Sequence, residues 1–161
     1  MTVTHKTFYK PQTYCLEDSI VFLMVRNQLI FERIADQRLE KLGISASQMR
    51  VLMLIDRLDQ PTASQISNML GSHAAAIVRT LDRLEKKMWI TRTRSRDDRR
   101  MVHLSITPKA REILDKIPPH LCNMLNESLR GVSEEEFKTV KKVLMKIAQN
   151  NLQVLESSQS E

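Results

Sequence analysis

Apolar residues recur from Leu16 to Leu42 at Ile20, Leu23, Met24, Ile30, Phe31, Ile34 and Leu39, with Asn27 as a polar exception. This is close to helical spacing and predicts one long helix. Gly43 suits its C-terminal stop. Ser45 and Gln48 form a capping-box pattern. They precede a short, very apolar helix carrying Met49, Val51, Leu52, Met53, Leu54, Ile55 and Leu58. Apolar residues all round predict burial on most sides. Asp59-Gln60-Pro61 ends it.

Thr62 and Gln65 repeat the capping pattern and open a helix over Ala63 to Leu70. Gly71-Ser72 makes a turn. The next helix is expected from His73 to about Lys87, with Ile77, Leu81, Leu84 and Met88 on its inner face. Ile90 to Arg94 alternates, and Val102, Leu104 and Ile106 sit at period two, so two strands follow. Between them, Ser95 to Arg100 is a polar hairpin tip. Thr107-Pro108 is a cap with proline at the first helical position. The helix from Lys109 is expected to break at Pro118-Pro119 and resume to about Leu129. After Gly131, Ser133 and Glu136 start the last helix. Its stripe is Phe137, Val140, Val143, Leu144, Ile147, Leu152 and Leu155. The tail from Ser157 to Glu161 is expected to be disordered.

The fold class is therefore mainly α with a small β-wing, a winged helix-turn-helix flanked by helices at both chain ends. The boundaries fall at 1–45 for an arm and first flanking helix, 46–108 for the winged unit, and 109–161 for the C-terminal helices. The stripes of the first and last helices lack a partner in the small central unit. Flanking helices of this kind pair across a dimer axis, or else on each other within a monomer. The length of the last helix favours the homodimer.

Charge sharpens this picture. Residues 72–111 hold eleven Lys and Arg against four Asp and Glu, while the remainder of the chain holds fourteen against fifteen. The net charge of +6 is thus one local patch. A concentrated cationic surface on a near-neutral body is the footprint of a polyanion binder. The longest apolar run, Ile20 to Val25, is far too short for a membrane span. Met1 to Asp18 has no apolar segment of signal-peptide length. A cytoplasmic protein with no membrane partner is the expectation. Cys15 and Cys122 are far apart and lack a C-x-x-C or His-rich setting, which argues against zinc and a disulfide scaffold.

The helix pair and ribbon suit double-stranded DNA. Ser72 and Gly71 make the tight turn, and His73, Ala74, Ala75 and Ala76 begin a helix whose small side chains permit close approach to base edges. Alanines contact thymine methyls but donate no hydrogen bond. Arg79 reaches a guanine edge or a phosphate from one turn further on. For Lys86 and Lys87 a solvated helix face is the expectation. At the ribbon tip, Arg96, Arg99 and Arg100 suit a narrow minor groove, where the negative potential is deepest. A neighbouring carboxylate such as Asp98 can hold such a guanidinium by a bidentate pair.

The string Ala63-Ser64-Gln65-Ile66, Leu70-Gly71, Asp82-Arg83-Leu84-Glu85-Lys86-Lys87, Arg94, Asp97-Asp98-Arg99-Arg100 and Leu104-Ser105-Ile106-Thr107 resembles the multiple antibiotic resistance regulator (MarR) family. The likeness extends in helix order over nearly the whole chain. It implies a homodimer joined by helices from both chain ends and an operator bound through paired winged helices. His73 to Arg79 would enter the major groove and Arg99 the minor groove. The sequence departs from the family at Met88, where Gly is usual. A left-handed cap would cost Met about 1 kcal/mol, so a different helix end is expected, with Trp89 packed under the wing. Ala74, Ala75 and Ala76 replace the usual Ser and Thr, so relatives' operator sequences do not carry over. Ala110 replaces a common Gly, predicting a better-formed helix start.

The family often releases DNA on binding a small aromatic acid. Arg50 bears on this, because a cation in an otherwise apolar helix needs a partner. Either it receives the ligand carboxylate, with Met49 and Met53 as an adaptable wall, or it is exposed or paired with Asp56 or Glu32. A repressor released by an aromatic carboxylic acid is the leading expectation. The alternatives are redox regulation through Cys15 or Cys122 and constitutive DNA binding without effector. Cys15 has no nearby Lys or Arg to stabilise a thiolate. No nucleophile–base pair, phosphate loop or metal-ligand spacing points to an enzyme or a cofactor, and His5, His73, His103 and His120 are scattered.

Overall fold

A computed structural model describes residues 7–95, 98 and 100–158. The helices are α1 (Ile20–Leu39), α2 (Ala46–Arg57), α3 (Ala63–Leu70) and α4 (Ala74–Lys86), then α5 (Pro108–Leu114), α6 (Ile117–Ser128) and α7 (Glu134–Ser158). Between α4 and α5 stand β1 (Ile90–Arg94) and β2 (Val102–Ile106). They form a two-stranded antiparallel ribbon in the register Ile90↔Ile106 to Arg94↔Val102. The chain forms two compact units, one up to Met124 and one from Leu125.

Local chemistry sets most boundaries. Ser45 with Gln48 and Thr62 with Gln65 both close complete capping boxes. Ser133 Oγ accepts from the Glu136 amide at 3.3 Å while Glu136 accepts from the Ser133 amide at 2.8 Å, starting α7 likewise. Helix α1 begins later than the apolar spacing predicts. Ser19 Oγ donates to the Leu16 carbonyl at 2.7 Å and accepts from the Phe22 amide at 3.2 Å. The caps satisfy amides that would otherwise lack a helical partner, so the helix starts at Ile20.

The main core joins α2, α3, α4, the ribbon and α5 through Leu52, Ile66, Leu81, Leu84, Ile90, Leu104 and Ala110, all at most 2% exposed. Helix α2 is not buried all round: Met53 is exposed and Arg50 half-buried, while Met49, Val51, Leu52 and Ile55 face the core. Ala110 is wholly buried, so its methyl group packs in the core as well as favouring helix. The break between α5 and α6 falls at Asp115-Lys116, ahead of the prolines, which occupy early positions of α6. Proline is tolerated there because the first-turn amides have no acceptor within the helix. Ser157 and Ser158 lie inside α7 rather than in a disordered tail. None of the α7 residues is buried.

Met88 overturns two expectations. It is 64% exposed rather than on the inner face of α4, and its φ is +58°. The helix therefore ends in the left-handed way that Gly would favour. The Met88 amide donates to Glu85 O at 2.8 Å and the Trp89 amide to Leu84 O at 3.0 Å. This is the paired bonding of a Schellman cap. Trp89 is buried in the core as expected. Driving the indole inward and starting β1 directly afterwards offsets the strain at Met88.

Candidate nucleic-acid interface

The turn before α4 is held from within. Ser67 Oγ donates to Ser72 O at 2.5 Å, and Gly71 takes φ +57°. His73 is the N-cap of α4 and makes no side-chain cap bond. The start of α4 thus keeps amides free, and a helix N-terminus with free amides favours an anion such as a phosphate. Ala74 and Ala75 are exposed at this end, Ala76 is half-buried, and Arg79 is exposed one turn on. Ser64 is exposed on α3, whereas Ser72 is half-buried in the turn. Ile77, Leu81 and Leu84 anchor the opposite face of α4 in the core.

The ribbon projects from the end of the same helix. Arg94, Asp98 and Arg100 are exposed on it, while Arg96, Asp97 and Arg99 lie outside the described residues. Asp98 Oδ1 accepts from the backbone amide of Arg100 at 2.9 Å, and the Asp98 amide donates to Ser95 Oγ at 3.3 Å. The carboxylate therefore shapes the turn through backbone, and the arginines at 96 and 99 that it was expected to hold lie outside the described residues.

Two residues unforeseen in the sequence tie this surface together. Arg92 on β1 pairs with Asp82 at 2.7 Å and Glu85 at 3.5 Å, bracing the ribbon against α4. Lys87 is not a solvated surface lysine. Its Nζ donates to Gly43 O at 2.6 Å and Gln48 Oε1 at 3.0 Å, and lies 4.6 Å from the Trp89 ring centroid. Burial at this junction pushes the Lys87 ammonium below the usual lysine value. Its two oxygen acceptors and the indole face favour the charged form, so we read Lys87 as a protonated clasp. The clasp joins the end of α4 to the start of α2.

A cavity of about 660 Å³ lies against α2 and α5. Met53, Leu54, Leu70, Leu114 and Pro118 give it apolar walls. Arg50 lines it but already pairs with Glu32 at 2.6 Å, one of the two carboxylates the sequence offered. The other, Asp56, pairs with Arg111 at 2.6 Å. Met49 faces the core and does not line the cavity. Cys15 and Cys122 are free and exposed, and the Cys15 thiol donates to Glu17 at 3.2 Å. Among the described residues no group of His, Cys, Asp and Glu is placed to hold a metal ion. Among them, too, no helix is long and apolar enough to cross a membrane.

The family model of the MarR family matches residues 44–102 of this chain. A mutant of MarR from E. coli, solved in complex with operator DNA, is 23% identical, with a TM-score of 0.75 over 84% of this chain and 99% of its own. The transcriptional repressor CouR, bound to a 23-mer DNA duplex, is 25% identical, with a TM-score of 0.73 over 83% of this chain and 94% of its own. A further solved transcriptional regulator is 28% identical, with a TM-score of 0.75 over 84% of this chain and 99% of its own.

Proposed function

We infer that this chain, whose residues 44–102 match the MarR family model, is a DNA-binding transcriptional regulator, a repressor that acts as a homodimer on a double-stranded operator. One observation carries the reading. The uncapped start of α4, with Ala74, Ala75 and Arg79 exposed, stands on the same rigid core as a ribbon bearing exposed Arg94 and Arg100. Helix α4 would read the major groove and the ribbon the minor groove. The DNA complexes of the similar regulators support it. We assign DNA binding to residues 46–108 and dimerisation to 1–45 and 109–161. Helix α1 and helix α7 each expose an apolar stripe that a second copy can cover.

Selection of bound duplexes from random-sequence DNA, with sedimentation of the free protein, tests this. The expected result is a dimer and a near-palindrome with half-sites about 10 bp apart. A monomer at micromolar concentration, or no sequence enrichment above bulk DNA, overturns it.

The effector is a small aromatic carboxylic acid that enters the α2–α5 cavity and lowers operator affinity. The apolar walls with Met53 and the arginines at the rim favour such a ligand. It can act only by binding the DNA-incompetent form better than the competent one. Arg50 has N–H donors beyond the one on Glu32 with which to meet it. A screen of aromatic acids for DNA release tests this half, and operator binding insensitive to every acid leaves a constitutive DNA-binding protein.

A further inference from the structure

Helix α1 joins two parts of different character. Its outer residues Val21, Leu23, Met24, Val25, Leu29 and Ile30 are exposed, while Ala35 and Leu39 towards its inner end are buried. At 20 residues it is about 30 Å long. Past its inner end come the short turn Glu40–Leu42 and then Gly43, at φ +66°, which lead into α2. Gly43 is thus the joint between a lever and the unit that carries α4 and the ribbon.

Two kinds of contact hold the lever at this joint. Leu39 and Ile44 sink into the main core, but apolar contact is non-directional and constrains an angle weakly. Hydrogen bonds are directional and constrain it more. Asp36 Oδ1 on α1 accepts from the Ala46 amide at 2.7 Å. Lys87, at the end of α4, donates through Nζ to the Gly43 carbonyl at the joint and to Gln48 Oε1 in the first turn of α2. Its own backbone is fastened from the other side. Lys109 Nζ donates to Lys87 O at 3.1 Å, and Thr107 Oγ1 donates to Met88 O at 2.8 Å. The lysine therefore ties the helix that faces DNA directly to the joint.

A little play at this point is amplified. A turn of about 10° at the inner end of a helix about 30 Å long moves its outer end by about 5 Å. Neighbouring base pairs lie about 3.4 Å apart, and each inserted pair turns the next half-site by about 35°. We propose, on the homodimeric operator reading above, that Lys87 is a positioning residue: its bonds to Gly43 and Gln48 set the angle of α1 against α4, and so the single half-site separation that the dimer accepts. In this role Lys87 touches no DNA, and the affinity for one half-site does not depend on it.

Fluorescence anisotropy of the full chain at one salt concentration tests this on four duplexes: the selected near-palindrome, the same site with one central base pair removed, the same site with one added, and a lone half-site. Wild type is expected to lose about tenfold or more with either altered spacing, the scale on which duplex deformation discriminates, and Lys87→Met about threefold or less. The half-site affinity of Lys87→Met is expected to equal that of wild type. Lys87→Arg keeps donors for both acceptors and restores the preference. Gln48→Met keeps the lysine, removes one acceptor and relaxes the preference in the same direction, which gives the same readout if Lys87→Met does not fold. Loss of stability alone lowers the affinity for every duplex in proportion and leaves the ratio between spacings unchanged. A wild-type ratio in either Met variant overturns the inference and keeps the operator reading, as does a wild-type dimer indifferent to spacing. A monomer, or a wild type that prefers no duplex sequence, removes both.

Discussion

Replacing Lys87 by Met separates a clasp from a phosphate contact. The change keeps an apolar stem of similar length over Trp89 and removes the ammonium. It deletes bonds to Gly43 O and Gln48 Oε1 at 2.6 and 3.0 Å and a cation–π contact at 4.6 Å. A hydrogen bond to a charged group contributes about 1.5–3 kcal/mol when well buried, and an exposed cation–π contact about 0.5–1 kcal/mol. Lys87 is only half-buried, which screens all three. The freed oxygens are not both orphaned: Gly43 is exposed to water, and Gln48 Oε1 keeps the Ser45 amide at 3.3 Å. The net loss is then about 1–2 kcal/mol. Urea denaturation at one fixed protein concentration measures it, because dimerisation would otherwise shift the midpoint. Duplex binding across a salt series gives the second readout, since each lost phosphate contact lowers the slope of log K against log salt by about 0.9. Lys87→Met should leave that slope unchanged, while Arg79→Met lowers it by about one unit. Wild-type stability together with a lost unit of slope for Lys87→Met would refute the clasp.

Met88→Gly should be more stable than Met88→Ala by about 1 kcal/mol, the reverse of the order inside a helix, because residue 88 sits at φ +58°; thermal unfolding of the pair checks the sign. Hydrogen bonds from the Ser133 backbone and then its side chain hold the Glu136 carboxyl below the usual glutamate range. The unfolded chain then binds that proton more readily, so the cap's contribution is full above the ordinary glutamate value and is lost as pH falls through the lowered one. Circular dichroism should show Glu136→Gln losing helix near neutral pH and converging with wild type in acid; a constant difference across pH would disprove the linkage. Arg92→Ala should cost under about 1 kcal/mol of stability, as exposed ion pairs do. It should nonetheless speed hydrogen exchange in β1 and β2, and unchanged protection there would mean the brace to Asp82 and Glu85 does not hold the ribbon.

The sequence by itself determined the elements whose signals are local. Three capping boxes, the Thr107-Pro108 start, the turn glycines and the period-two strands each act within about four residues, and the structure places helices and strands where they point. The fold class and the charge patch followed from the same patterns. Where the local signal was ambiguous, it misled. Apolar spacing ran through Leu16 to Ser19 and hid the cap at Ser19, and the prolines at 118 and 119 marked a helix start rather than its break. Tertiary structure alone decided the pairings. Nothing near Arg50 in sequence selects Glu32 over Asp56, nor does anything near Lys87 mark it for Gly43 across a separation of 44 residues. The same holds for Arg92 with α4 and for Arg50 and Arg111, which find carboxylates while Arg57 has none among the described residues. A side-chain ion pair forms where packing brings two elements within about 4 Å, and that distance is set by the shared core rather than by either residue's neighbours in the chain. Met88 shows the same hierarchy in the backbone: the gain from burying Trp89 and pairing β1 with β2 exceeds the local cost of a left-handed Met.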